Sequence, residues 1–218
     1  MTALTVETPQ GPARVYLHQA DEPRAALVLG HGAGGGVEAP DLVAATEAAL
    51  SEGVSVALVE QPYRVAGRRS PPAASRLDAA WTAVVQQLRA GRLAGLPLIV
   101  GGRSAGARVA SRTVEATDAM AVLCLAFPLQ PSARRSATSP TKSRLPELDA
   151  VGVPTLVVQG ERDRFGRPPG GPGREVVVVP GDHGLKADPK AVKDAVTGWL
   201  SGVVAQAAPI AASGSTKT

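Results

Sequence analysis

The chain has 218 residues, of which 44% are hydrophobic and 19% are charged, values typical of one globular domain and not of a disordered chain. Its formal net charge is +4, but aromatic residues make up only 3%, and the sequence shows neither a basic stripe nor a nucleic-acid-binding motif. We therefore expect no nucleic-acid partner.

The first half of the chain alternates strand-like and helix-like segments. Residues 4–8 and 14–18 flank Pro9-Gln-Gly-Pro12, a pattern that predicts an antiparallel hairpin. The apolar runs 25–29 and 54–59 predict buried strands, and residues 40–50 predict a helix with Pro40 at its first position. Apolar residues at helical spacing predict a second helix over residues 75–90.

The second half continues the alternation. Strands are predicted at 98–100, 119–126, 155–158 and 175–179, and helices at 105–115 and 189–200. Fully apolar strands that alternate with helices predict an α/β fold, with a mostly parallel sheet covered by helices on both faces.

The same segments predict the domain organisation. Residues 1–205 are expected to form a single domain, and the small-residue stretch 206–218 a disordered tail. The Pro- and Ser-rich stretch 127–148 is too short for a separate lid domain, which favours an open cleft. The only cysteine, Cys124, lies in an apolar run and is expected to be buried. With no leader pattern and no apolar run of about 20 residues, we expect a cytoplasmic protein without membrane contact.

A candidate nucleophile lies in Gly102-Arg-Ser-Ala-Gly106, directly after a predicted strand and directly before a predicted helix. Gly-x-Ser-x-Gly in this setting is typical of a nucleophile elbow, a strained turn that only small flanking residues permit. Because the chain is rich in glycine, the pentapeptide alone is a weak signal. The interpretation is strengthened by the strand and the helix predicted on either side of the pentapeptide, and by candidate catalytic residues later in the sequence.

Those residues are an acid and a histidine, each after a later strand. Asp163, preferred over Glu161, can accept a hydrogen bond from an imidazole and hold its tautomer. Of the three histidines, only His183 follows the serine and the acid in the order Ser, Asp, His, whereas His18 and His31 precede them. The sequence therefore predicts a catalytic triad of Ser104, Asp163 and His183.

The glycine loop Gly30-His-Gly-Ala-Gly-Gly-Gly36 follows another predicted strand. In a hydrolase, the backbone N–H of Ala33 in this loop and that of Ala105 would form the oxyanion hole.

The same loop supports an alternative. Gly30-x-Gly32-x-x-Gly35 fits the dinucleotide-binding fingerprint, and Glu60 ends the next strand, where a ribose-binding acid would stand. Against this, the helix predicted to start at Pro40 begins too late for its N-terminus to hold a pyrophosphate tightly. A third hypothesis is a non-catalytic binding or scaffold module, since fold alone proves no activity.

The order of glycine loop, serine elbow, acid and histidine resembles the α/β-hydrolase superfamily, from about Val15 to Leu200. Four segments resemble its small, lidless, dienelactone-hydrolase-like branch, which also holds a regulatory subunit of the NSL histone acetyltransferase complex and a testis-expressed homologue. These segments are residues 60–69, 101–110, 127–129 and 159–166. The resemblance implies the triad already named and leaves the substrate open. The chain departs from the branch after Phe127-Pro-Leu, where Gln130-Pro-Ser-Ala-Arg134 replaces a His-Pro-Pro-Gly-like continuation.

Together these features predict a serine hydrolase of the carboxylesterase or thioesterase type that cleaves a small acyl substrate. It would need neither metal nor cofactor; a homodimer is left open. Arginines follow several strands, which favours an anionic substrate, and Arg64, Arg68 and Arg103 are the predicted substrate contacts. The other basic residues of these loops are Arg69, Arg134, Arg135, Lys142, Arg144, Arg162, Arg164 and Arg167.

Overall fold

A computed structural model describes residues 2–131 and 143–207. The elements in chain order are β1 (Thr2–Val6), β2 (Ala13–His18), β3 (Ala25–Gly30), α1 (Pro40–Ser51), β4 (Val54–Glu60), α2 (Pro62–Val65), α3 (Ala74–Ala90), β5 (Leu98–Arg103), α4 (Ala105–Arg112), α5 (Val114–Thr117), β6 (Ala121–Leu125), α6 (Leu145–Asp149), β7 (Thr155–Gly160), β8 (Arg174–Val179) and α7 (Pro189–Ala207).

The strands form one eight-stranded sheet in the order β1-β2-β4-β3-β5-β6-β7-β8. The pairs β1–β2 and β2–β4 are antiparallel, and all other neighbours are parallel. This confirms the predicted fold class and the N-terminal hairpin. The first strand ends two residues earlier than predicted, because the Thr8 side chain forms the turn, where its hydroxyl donates to the Gly11 carbonyl at 2.7 Å.

Helices cover both faces of the sheet, as predicted. Side chains of β3 alternate between the two faces: Val28 packs in the cluster under α3 and α4, and Leu29 packs in the cluster under α1 and α7. The largest buried side chain of the first cluster is Trp81 on α3. Because both faces are buried, the parallel strands can be apolar along their whole length.

The predicted helix 105–115 is divided into α4 and α5 at Thr113. The hydroxyls of Ser111 and Thr113 donate to carbonyls four residues back, at 2.9 and 2.8 Å. Such back-bonding competes with the helical hydrogen bonds and bends helices, and the sequence pattern of apolar residues alone does not show it.

At the C-terminus, α7 runs to Ala207, past the predicted end at Leu200. Val203 and Val204 are buried against the α1 side of the sheet, and this burial outweighs the helix-weakening Ser201-Gly202. The last two described residues thus belong to the stretch expected to be a tail, and residues 208–218 lie outside the described residues.

The connection between β6 and β7, predicted as a loop with room for one helical turn, contains the short helix α6. Arg134, Arg135 and Lys142, which the sequence placed near the site, lie outside the described residues. Within residues 2–131 and 143–207, no helix combines the length and the apolar character needed to cross a bilayer.

Backbone segments of β3, β5 and α4 approach each other closely at glycines. A side chain at Gly102 would place its Cβ 2.5 Å from the carbonyl oxygen of Gly30, and a Cβ at Gly106 would meet the Gly30 and His31 carbonyl groups. This contact lies where the chain leaves β3 towards one side of the sheet and β5 towards the other, the position at which ligands bind in open α/β sheets.

Substituting Gly106→Ala should therefore destabilise the fold by about 1–3 kcal/mol, despite the better helix propensity of alanine, because the added methyl group collides with backbone that has little freedom to move. Urea unfolding measures the change. The matched control is Gly198→Ala on α7, where a Cβ has open space, and here we expect a gain of about 0.5–1 kcal/mol. A Gly106→Ala protein as stable as the Gly198→Ala protein would contradict the close packing.

Candidate active site

Ser104 occupies a tight turn between β5 and α4. Its backbone has φ 52° and ψ −105°, in a left-handed region that a non-glycine residue rarely adopts, at a cost of about 1–3 kcal/mol. The turn is held by its own N–H, which donates to the Leu125 carbonyl of β6 at 2.8 Å. The strain is maintained because Gly102 and Gly106 let the turn pack against β3.

His183 lies in the loop between β8 and α7. Its Nε2 is 2.9 Å from Ser104 Oγ and its Nδ1 is 2.7 Å from Asp163 Oδ2. A carboxylate accepts hydrogen bonds, so Nδ1 carries the hydrogen and Nε2 is left to accept from the serine hydroxyl. The Phe165 ring packs edge-on against the imidazole, with ring centroids 4.4 Å apart.

Asp163 follows β7, and its carboxylate is fully buried. Besides His183, it accepts hydrogen bonds from the Gln159 side chain at 2.7 Å and from the Phe165 N–H at 2.8 Å. Glu161, the other acid of the loop, is exposed and pairs with Arg162. The structure thus brings together the three residues predicted as the triad.

Gln159 is a site residue that the sequence reasoning missed. The side chain is fully buried in β7, and its Nε2 lies within 3.1 Å of the Phe127 carbonyl, 2.7 Å of Asp163 and 2.9 Å of the Gly166 carbonyl. It therefore holds the acid and two loops at once. The available signal was a polar residue directly after the apolar run of residues 156–158.

Both residues predicted for the oxyanion hole, Ala33 and Ala105, line the same cleft as Ser104. The glycine loop is held there by the Tyr63 hydroxyl, which donates to the Ala33 carbonyl at 3.0 Å. Ala105 is the first residue of α4. Neither backbone N–H donates to another described residue, so both remain free to bind an acceptor.

Buried His31 connects the glycine loop to the end of β4. Its Nε2 accepts from the Gln61 N–H at 3.1 Å, so the hydrogen lies on Nδ1, which donates to the Gly32 carbonyl at 2.8 Å. Burial lowers the pKa of His31. The ring is thus a neutral structural link and not a second catalytic base.

Arg103 was predicted to contact substrate, but its guanidinium has other partners. Nε lies 3.0 Å from the buried carboxylate of Asp41, near the start of α1, and Nη2 donates to the His183 carbonyl at 3.1 Å. Burial raises the pKa of Asp41, and the charge of Arg103 opposes that increase. Arg103 therefore ties α1 to the loop that carries the histidine.

The cleft next to Ser104 has a volume of about 300 Å³. It is lined by Ala33, Pro71, Pro72, Ala74, Leu77, Ser104, Ala105, Arg108, Arg112, Pro128, Arg144 and Phe165. None of the predicted contacts Arg64, Arg68 and Arg103 is in this lining; Arg68 lines a different pocket beside α3, and Arg103 one beyond the glycine loop. The position of an arginine just after a strand does not determine the direction in which its long side chain points.

The dinucleotide alternative loses its structural basis. Cβ positions at Gly30 and Gly32 would meet Trp81 and Arg103, so these glycines permit packing within the protein. The nearest following helix, α1, begins only at Pro40, and Glu60 lies 3.8 Å from Arg14. Packing within the protein thus explains Gly30 and Gly32 without a pyrophosphate, whereas a Cβ at Gly35 would have open space.

Acid should destabilise the fold through His31. The folded state binds a proton on this ring more weakly than the unfolded state, whose pKa is about 6.5, so stability is complete above that pH and is lost as pH falls below it. We expect His31→Gln, which keeps an acceptor for Gln61, to lose less unfolding free energy between pH 7.5 and pH 5.5 than the wild type.

The control is His18→Gln. Burial also lowers the pKa of His18, but this ring is far less buried, so its substitution should change the pH slope less. Urea titrations of the three proteins at both pH values give the comparison. A pH slope equal in His31→Gln and wild type would contradict the assignment.

Comparisons with known proteins place the fold in a family. A family model described as an alpha/beta hydrolase domain matches residues 23–191, while no curated protein matches the chain. Among solved structures, an α/β serine hydrolase without a lid from Xanthomonas campestris is 20% identical with a TM-score of 0.69, covering 91% of this chain and 94% of its own. Est1E from Butyrivibrio proteoclasticus is 15% identical with a TM-score of 0.73, covering 94% and 100%.

A dienelactone hydrolase from Anabaena variabilis is 15% identical with a TM-score of 0.70, covering 94% of this chain and 96% of its own. At these identities the solved structures show a common fold, whereas the family model spans well over half of the sequence. The chain therefore belongs to the α/β-hydrolase family.

Proposed function

We propose that the chain is a serine hydrolase that cleaves a small ester or thioester through an acyl-enzyme on Ser104. The observation that carries the proposal is the hydrogen-bonded row from Asp163 through His183 to Ser104, with spacings of 2.7 and 2.9 Å. A serine on a strained turn, with a base oriented by a buried acid, has the arrangement that activates a hydroxyl for acyl transfer.

In this mechanism, His183 Nε2 removes the proton from Ser104 Oγ as the oxygen attacks the carbonyl carbon of the substrate. The imidazolium is stabilised by Asp163 and then gives its proton to the leaving alcohol or thiol. Water attacks the acyl-enzyme in the second half, with His183 again as the base. The acid product leaves and Ser104 regains its proton.

The negative charge on the carbonyl oxygen would be held by the free N–H groups of Ala33 and Ala105. One donor of this type is worth about 3–4 kcal/mol in the transition state. Ala105 is at the N-terminus of α4, whose dipole adds to the same stabilisation. No metal or cofactor is needed for these steps.

Cleft size favours a small substrate. About 300 Å³ is at the lower end of the range for small-molecule sites. The solved structures of similar fold include a serine hydrolase described as lacking a lid and an Est1E complex with ferulic acid. We place the chain in the dienelactone-hydrolase-like branch on its sequence segments, and we retain the carboxylesterase or thioesterase type as part of the proposal.

A fluorophosphonate probe tests the nucleophile directly. It should label the wild type and leave Ser104→Ala unlabelled, and the same substitution should lower kcat for a 4-nitrophenyl ester by a factor on the order of 10⁴ or more. Circular dichroism confirms that the variant is folded. A folded wild type that neither reacts with the probe nor hydrolyses the ester would instead support a non-catalytic binding module.

Gln159→Leu should lower kcat about tenfold, because Asp163 loses a hydrogen bond that fixes its carboxylate while the Phe127 and Gly166 carbonyls lose their donor. The matched control is Gln61→Leu, another buried glutamine, whose side chain donates to the Leu77 carbonyl at 3.3 Å and does not contact the triad. Kinetics with the 4-nitrophenyl ester and urea unfolding are measured for both. If both variants lose stability but neither loses kcat, Gln159 has only a structural role.

A further inference from the structure

Three arginines line the cleft beside Ser104, and they are not the three that the sequence predicted. Arg108 and Arg112 follow Ser104 at intervals of four residues, so all three lie along one side of α4. Arg108 is about 6 Å from the serine along the helix axis. Arg144 precedes α6 and approaches the cleft from the connection between β6 and β7.

Two of these arginines are already paired with carboxylates. Arg108 binds Glu147 through Nε at 2.8 Å and Nη2 at 2.5 Å, and Arg112 binds Asp78 through Nε at 2.9 Å and Nη2 at 2.6 Å. Arg112 Nη1 also reaches Glu147 at 3.2 Å. This network of bidentate ion pairs joins α3, α4 and α6 and forms a fixed wall of the cleft.

Arg144 differs from its neighbours. It is half-buried, and its Nη1 donates to the carbonyls of Pro128 and Gln130 at 3.0 and 3.4 Å. Its Nε and Nη2, the edge that Arg108 and Arg112 use to bind carboxylates, donate to no other described residue. The surrounding stretch 130–145 contains neither Asp nor Glu, so it offers no acid as a partner.

Among the described residues that line the cleft, the arginines outnumber the carboxylates that pair with them by one. Three guanidinium groups face the two carboxylates of Asp78 and Glu147. Burial and the charges of Arg108 and Arg112 lower the pKa of Arg144, and the charge of Glu147 opposes this decrease; a guanidinium remains protonated at neutral pH. A half-buried cation in such surroundings is stabilised by an anion that enters the cleft.

We infer that Arg144 binds a carboxylate on the acyl part of the substrate, so that the substrates are half-esters or half-thioesters of short dicarboxylic acids. This assignment rests on the proposed function. The attacked carbonyl would lie at Ser104, and the distal carboxylate would meet the Nε–Nη2 edge of Arg144. Because both groups line one cleft of about 300 Å³, only a short chain fits between them.

The remaining lining agrees with this substrate class. Pro71, Pro72 and Leu77 give the cleft an apolar wall suited to methylene groups. The one positive charge that stays uncompensated among the described lining residues matches a carboxylate, which carries one negative charge, better than a phosphate monoester, which carries nearly two. The edge of Arg144 provides two parallel donors, the geometry that carboxylates bind.

The test compares two esters with the same leaving group: mono-(4-nitrophenyl) glutarate, and 4-nitrophenyl pentanoate, which has the same acyl length without the carboxylate. For the wild type, kcat/KM should be higher for the glutarate ester. Arg144→Gln should lower kcat/KM for the glutarate ester about tenfold to hundredfold, because the substrate loses a charged hydrogen-bonded pair. The same substitution should change kcat/KM for the pentanoate ester less than about threefold.

Two further variants control the measurement. Arg144→Lys keeps the charge but loses the two-donor edge, and should recover part of the activity on the glutarate ester. Arg167→Gln removes an equal charge from an exposed loop position outside the cleft, and should leave the ratio of the two rates unchanged. The pentanoate rate also reports whether each variant is folded.

Several results would overturn the inference. These are equal specificity of the wild type for both esters, an equal loss on both esters in Arg144→Gln, or fluorophosphonate labelling of Ser104 without hydrolysis of the glutarate ester. If the wild type is not labelled and hydrolyses neither ester, the proposed function itself fails and the carboxylate subsite falls with it.

Discussion

Backbone contact between Gly30 and the pair Gly102 and Gly106 brings the glycine loop against the serine turn without intervening side chains. Because the two segments lie so close together, Ala33 of the glycine loop and Ala105 of α4 line the same cleft as Ser104. The positive φ of Ser104 is a consequence, since the chain must turn sharply to leave β5 and start α4 beside β3. A Cβ at Gly102 or Gly106 would collide with the backbone of Gly30 and so push the serine turn away from the glycine loop.

Much of the fold was predictable because it depends on local patterns that also suit the global structure. Apolar strands such as 25–29 and the interposed helices specify a parallel sheet, and the order Ser104, Asp163, His183 places the three side chains at carboxyl ends of strands β5, β7 and β8. The pattern of apolar residues did not show two effects. The Thr113 hydroxyl competes for a helical carbonyl and divides the predicted helix, and the burial of Val203 extends α7 beyond its predicted end. Both effects depend on groups whose positions are known only in three dimensions.

The substrate contacts were less predictable for a related reason. An arginine near a strand end reaches several ångströms in a direction that its buried partners determine. Arg103 turns to the carboxylate of Asp41 and the carbonyl of His183, whereas Arg108 and Arg112, seemingly ordinary helix residues, form the cleft wall through Glu147 and Asp78. The positions of the acids, rather than those of the arginines, decide which positive charges are neutralised and which remain for a ligand.

Around the triad, buried polar groups are held by neighbours that do not take part in the chemistry. Gln159 fixes Asp163, Arg103 fixes the loop of His183, and His31 fixes the glycine loop. Each link costs desolvation of a polar or charged group, which is recovered only when every partner is in place. Arg144 differs, since Nη1 donates to two carbonyls while Nε and Nη2 donate to none of the residues that the structure describes. A rigidly held triad and a cation in the same cleft that the ligand itself can pair with suit substrate binding, because the binding energy of the charge is then available to position the carbonyl over Ser104.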